Sequence, residues 1–152
     1  MLRPSPTQQI SGSGVLEDAA NVAPNWTRVG ILLSAVEGGF RPAATSPDAS
    51  GLFTLNVSGA GKVGLNITGI PASGAYLAKV LLGSQDVTGK EIDLSAGGLP
   101  PLRLVFRPGA ARLTGRAEAS APNVLPGRPM ISLWPADPRQ RDARAAVSAS
   151  FQ

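Results

Sequence analysis

The chain contains neither cysteine nor histidine. Without cysteine there are no disulfides and no thiolate metal sites, and a chain of 152 residues buries enough surface to fold without such staples. Without histidine the commonest general base and the commonest metal ligand are both missing, so triad hydrolysis and ordinary zinc hydrolysis lack their parts. Large rings are scarce: two Trp, one Tyr and four Phe. Charge is sparse at 16% of residues. No apolar run approaches the roughly 20 residues that a membrane helix requires, and the longest candidate, Val29 to Val36, is strand-sized, so direct membrane insertion is not expected. The first residues, MLRPSPTQQ, hold one Arg and no apolar stretch, which is not the pattern of a signal peptide.

What is present is turn chemistry. Gly (18) and Pro (14) make up about a fifth of the chain, too much for a helical protein and too little for the compositions that mark disorder. Between the turn signals lie short alternating runs. In Lys62–Thr68, Val63, Leu65 and Ile67 share one face while Lys62, Gly64, Asn66 and Thr68 share the other. Tyr76–Leu82 reads as a strand covered in part on both faces, Ile92 and Leu94 alternate with Glu91 and Asp93, and Leu102, Leu104 and Phe106 alternate with Arg103, Val105 and Arg107. With Phe53, Leu55 and Val57, the run Val29–Val36, and Ile10–Leu16, this gives about seven strands in roughly one hundred residues. The spacing predicts an all-β, immunoglobulin-like or transthyretin-like antiparallel β-sandwich.

The pattern then begins again. Gly14-Val15-Leu16-Glu17, Asn21-Val22-Ala23-Pro24 and Arg28-Val29-Gly30-Ile31 are echoed by Gly115-Arg116-Ala117-Glu118, Asn123-Val124-Leu125-Pro126 and Arg128-Pro129-Met130-Ile131. The expected organisation is a disordered segment at 1–9, a sandwich at 10–107 and a truncated second sandwich unit at 108–152. The shorter piece holds too few strands to close a sandwich and is expected to be loosely ordered or to borrow a sheet edge.

Net charge is +4, and the basic excess lies late: residues 1–100 carry 6 basic and 7 acidic groups, residues 101–152 carry 8 and 3. These arginines are scattered among Pro and Ala with few rings for stacking, so nucleic acid is not an expected partner.

Four candidate sites remain. Ser46-Pro47-Asp48-Ala49-Ser50-Gly51-Leu52-Phe53 has one carboxylate where a calcium loop needs several oxygen ligands; it reads as a turn in which Asp48 caps, Gly51 takes positive φ, and Phe53 opens the next strand. Asp86, Glu91 and Asp93 are the one other acidic group that a hydrolase could use, against the plainer reading of a solvated strand edge. Trp26, Trp134 and Tyr76 could stack on sugars if exposed; the plainer reading is packing in the core or at strand ends, with Tyr76 half in the core and the tryptophans flanking strands. Gly59-Ala60-Gly61-Lys62 lacks phosphate-loop spacing and reads as a hairpin turn. Three Asn-x-Ser/Thr triplets, at Asn25, Asn56 and Asn66, are weak glycosylation signals.

The order of these parts resembles bacterial carboxypeptidase regulatory-like domains in tandem. The resemblance rests on Asp48, Gly51 and Phe53 of the D-x-x-G-x-F turn and on the segment Tyr76–Val87, YLAKVLLGSQDV; it spans about residues 10–107 and restarts at 110–151. One departure is Gly59-Ala60-Gly61-Lys62-Val63, where that family has Pro-Gly-x-Tyr. The resemblance implies a prealbumin-type sandwich that is not an enzyme and binds no cofactor or metal. It would serve as spacer and interaction surface in a multidomain envelope or secreted protein, outside the cytoplasm, with neighbouring domains of the same polypeptide as partners. Carbohydrate binding through exposed aromatics is the alternative, and a hydrolase on the acidic edge the last.

Overall fold

The computed structural model describes residues 7–36, 41–95, 97–111, 114, 130–133 and 147–150. The chain divides into two compact units, Met1–Ala111 and Arg112–Gln152. In the second, β10 (Met130–Leu133) pairs antiparallel with β11 (Val147–Ser150). The expectation of a weakly ordered second sandwich, and Trp134 with it, otherwise falls outside the described residues; of the segment 1–9 expected to be disordered, residues 7–9 belong to the first strand and residues 1–6 lie outside the described ones.

The first unit is an all-β sandwich. Its strands are β1 (Thr7–Leu16), β2 (Gly30–Ala35), β3 (Ala43–Thr45), β4 (Leu52–Ser58), β5 (Lys62–Thr68), β6 (Ala75–Leu82), β7 (Gln85–Asp86), β8 (Ile92–Asp93) and β9 (Leu102–Pro108). One sheet runs β4-β1-β9-β6-β7 and the other β3-β2-β5-β8. All seven expected strands are present; β3 and β7, of three and two residues, are too short to show a period.

Alternation decides which side chains face inward. Along β4, Phe53, Leu55 and Val57 are buried while Leu52, Thr54, Asn56 and Ser58 are exposed. These meet Ile10, Leu102, Leu104 and Phe106 of their own sheet and Ile31, Leu33, Val63 and Ile92 of the other in one apolar cluster. Each such side chain contributes about 1.5–3 kcal/mol on burial, and among the described residues no polar or charged side chain is buried against this gain.

Three features sharpen or correct the sequence expectation. The sandwich is not wholly antiparallel, because β1 and β9 run parallel from Gly12↔Leu102 to Leu16↔Phe106. The first strand lies inside the sheet, between β4 and β9, and the chain returns to it in the same direction after visiting the other sheet. Second, β6 is irregular because it is bulged: its register against β9 slips between Leu77 and Lys79. Ala75 and Leu77 face inward before the slip and Val80 after it, so a strand of period two reads as mixed. Third, Gly59-Ala60-Gly61 is not a hairpin turn, since β4 and β5 belong to different sheets. Gly59 (φ 121°) and Gly61 (φ 124°) carry the chain across the core, in a conformation that side chains with Cβ rarely take.

The glycines of β1 explain why that strand is faint in the sequence. A Cβ on Gly12 would overlap the ring of Phe53, and one on Gly14 would lie 2.5 Å from Cζ3 of Trp26. The backbone of β1 is thus the floor on which two rings lie, a close approach that only glycine permits.

Candidate functional site

The Ser46–Phe53 stretch joins β3 of one sheet to β4 of the other. Oδ1 of Asp48 accepts from the Ser50 hydroxyl (2.6 Å), the Ser50 amide (2.8 Å) and the Leu52 amide (3.0 Å). The main chain closes the turn as Gly51 N–H donates to the Asp48 carbonyl (3.0 Å) and Asp48 N–H to the Leu52 carbonyl (2.8 Å). Gly51 takes φ 85° and its carbonyl accepts from Gly14 N–H at 2.8 Å, which docks the corner on β1 beneath Trp26. The Ser50 hydroxyl, then the Leu52 amide, hold the Asp48 carboxyl below its ordinary value. Its acceptor capacity serves the turn.

The same device recurs at the proposed acidic edge. The Thr88 hydroxyl (2.6 Å) and amide (2.9 Å) donate to Asp86, and the Ser95 amide donates to Asp93 at 2.8 Å. Asp86 is held low chiefly by the Thr88 hydroxyl, Asp93 chiefly by the Ser95 amide. Glu91 lies 3.9 Å from Lys62. Thr88 is used twice, since its hydroxyl also accepts from Val80 N–H at 2.8 Å and so pins the β6–β7 turn. Among the described residues there is no group of three or more His, Cys, Asp or Glu side chains able to hold a metal, the three acids of this edge included.

The aromatic candidates separate. Trp26 is 5% exposed and meets Phe106 edge to face with ring centroids 5.9 Å apart, so its faces are taken up by the core and a sugar cannot stack on it. This is the plainer of the two readings of Trp26, packing at the core, and the preceding Asn25 side chain is turned to the surface, where its Oδ1 accepts from the Thr27 hydroxyl. Tyr76 is 41% exposed on the outer face of the five-stranded sheet, opposite Arg107. Trp134 lies outside the described residues. Of the glycosylation triplets, Asn25 and Asn56 are exposed and Asn66 is partly covered within β5.

Two arrangements have no local signal in the sequence. On that outer face Glu17 takes both Nη2 (2.9 Å) and Nε (3.3 Å) of Arg107 on Oε2, with Arg103 at 3.8 Å from Oε1, while Asp18 lies 3.8 Å from Arg107. The hydrogen bond and charge of Glu17 hold the Arg107 guanidinium more firmly protonated than usual. Ninety residues separate the partners, and only the parallel β1–β9 pairing brings them together. The second is a groove of about 290 Å³ between residues 41–45 and the outward side chains Thr54, Asn56 and Ser58 of β4. It lies where the edge strands of the two sheets approach.

No protein-family model, curated protein or solved structure matches the chain.

Proposed function

We propose that the first unit is a non-catalytic accessory module, a spacer and interaction surface within a larger envelope or secreted protein. One observation carries this reading. Each acidic side chain among the described residues has a structural partner: Asp48, Asp86 and Asp93 staple their own turns, Glu17 and Asp18 hold Arg107, and Glu91 faces Lys62. A general acid or base needs a carboxyl free to exchange a proton with substrate at a cleft, whereas three of these are bound into turns and the other three face a cation. The resemblance of the Asp48, Gly51 and Phe53 turn to regulatory-like modules supports the same reading, and with it a place outside the cytoplasm.

The test is hydrolysis of nitrophenyl glycosides, esters and peptides by the intact chain, beside Asp86→Asn and Glu91→Gln. The expected outcome is background turnover throughout, with Asp86→Asn lowering the melting temperature. Turnover above background that disappears in either variant would overturn the reading. Among the described residues a carbohydrate surface would be built on Tyr76, whose ring is exposed; glycan-array binding lost in Tyr76→Ala is its test.

A further inference from the structure

The pairing of β1 with β4 fixes which way the backbone of β4 points. Gly14 N–H reaches the Gly51 carbonyl, which continues the register Ser13↔Leu52 and Gly12↔Phe53, so the odd-numbered residues bond to β1. The even-numbered ones point away from it. Two of them are met from that side: the Leu52 carbonyl by Asp48 N–H at 2.8 Å and the Ser58 carbonyl by Arg41 N–H at 3.4 Å. Between these clamps the N–H and C=O of Thr54 and Asn56 aim outward with no backbone partner among the described residues. They open onto the groove of about 290 Å³.

We propose that this open edge is a docking site for a short, extended, acidic peptide that adds beside β4 as a further strand of the five-stranded sheet. Strand addition needs donors and acceptors at the strand repeat, and Thr54 and Asn56 supply both in alternation. The length from Leu52 to Ser58 is about 20 Å, and with both ends clamped it suits a segment of about four to five residues. Room for about ten waters in the groove gives space for such a backbone. Charge selects the partner. Arg41 lines the groove and has no carboxylate within ion-pair distance among the described residues. A second copy of the chain would set the same cation against Arg41, which disfavours self-pairing and favours an acidic segment. The walls are polar, with Thr45, Thr54, Asn56 and Ser58 placed to take hydroxyl or amide side chains. The inference rests on the first unit being an interaction module, and it names the surface and the partner's chemistry.

The test uses the intact, isotope-labelled chain titrated with the capped pentapeptide Thr-Val-Asp-Val-Thr and with its Asp-to-Asn counterpart, read by amide shifts and hydrogen exchange. Expected are shifts centred on Thr54 and Asn56, about tenfold slower exchange there, and weaker binding of the uncharged peptide. Asn56→Pro removes an N–H that an edge strand can spare, so the melting temperature should hold while binding is lost. Arg41→Ala should bring the acidic peptide down to the affinity of its uncharged counterpart, a readout that stands even if the proline variant folds poorly. No change at Thr54 and Asn56 at millimolar peptide, or undiminished binding by Asn56→Pro, would overturn the proposal. Concentration-dependent protection of the same amides without peptide would overturn the choice of partner in favour of a second copy. A silent titration beside a silent hydrolysis panel removes the docking site and leaves the spacer reading intact.

Discussion

Gly14→Ala adds one methyl group where the core has no place for it. The new Cβ would stand 2.5, 2.8 and 3.0 Å from Cζ3, Cε3 and Cη2 of Trp26, whereas carbon atoms rest about 3.5–4.0 Å apart. The indole must therefore retreat by about 1 Å. It is hemmed in by Phe106, fully buried with its centroid 5.9 Å away, and by Gly51 beneath Nε1. Overpacking of this kind costs about 1–3 kcal/mol. Against that, Ala in place of Gly narrows the unfolded ensemble and returns about 0.4–1 kcal/mol. Gly14 is not among the positive-φ glycines, so the backbone itself accepts Ala, and a net loss of about 1–2 kcal/mol is expected. Urea unfolding followed by circular dichroism should show the midpoint falling by about 1 M. The decisive comparison is made in a Trp26→Phe background. There the clashing part of the ring is gone, and Gly14→Ala should be neutral or slightly stabilising, a coupling of about 1 kcal/mol or more. An equal penalty in both backgrounds would refute the steric argument and place the cost in the strand backbone.

Other consequences can be measured alongside. Gly51→Ala combines left-handed strain of about 1–2 kcal/mol with contacts of 3.0 Å to the Gly14 carbonyl and to Trp26 Nε1, whereas Gly74→Ala, with nothing within 4 Å, should show the strain alone; chemical denaturation of the pair separates the two. Trp26→Ala should lose about 3–5 kcal/mol, and acrylamide should quench Trp26 poorly in the folded chain. Tyr76→Ala should stay within about 0.5 kcal/mol by the same denaturation. Asp48, Asp86 and Asp93 are all held below their ordinary value, so folding favours their ionised forms. That contribution is complete above the unfolded value near about 3.9 and disappears as pH falls through the lower folded values. The melting temperature should therefore be level from about pH 7 to 5 and decline below about 4, and the triple Asp→Asn variant should have a shallower acid limb.

What the sequence made legible was whatever a local period or a turn residue encodes. The alternation of β4 and the capping by Asp48 could be read directly, because each depends on neighbours within a few residues; β5 and β9 alternate less cleanly, with Gly64 and Val105 buried on the face read as outward. The signal was weak or misleading where one residue answers to a distant partner. Gly12 and Gly14 make β1 faint as a strand, yet they are there for Phe53 and Trp26. Trp26 left two readings open in the sequence, and its burial beside Phe106 decides between them. Gly59 to Gly61 was misread, because it resembles any glycine turn and only sheet membership distinguishes a crossing from a hairpin. The groove was invisible for the same reason: it needs residues 41–45 and β4 brought together by the corner between them.

That corner links fold and surface. The chain changes sheets at Ser46–Gly51 and again at Gly59–Gly61, so β4 is fastened at both ends and held as an edge. Exposed edges are a hazard that proteins blunt with charge, proline or cover. Here Asp48 closes one end, Arg41 the other, and Pro42 lines the gap. A strand built only to be protected would gain from a charged or proline residue at its centre, where β4 instead carries Thr54 and Asn56 with their backbone groups unpartnered among the described residues. If the edge is only tolerated, Thr54→Lys should be harmless to every property of the chain. If it is a docking edge, the same change should leave the melting temperature in place and alter how the acidic pentapeptide seats, with the shifts moving away from Asn56.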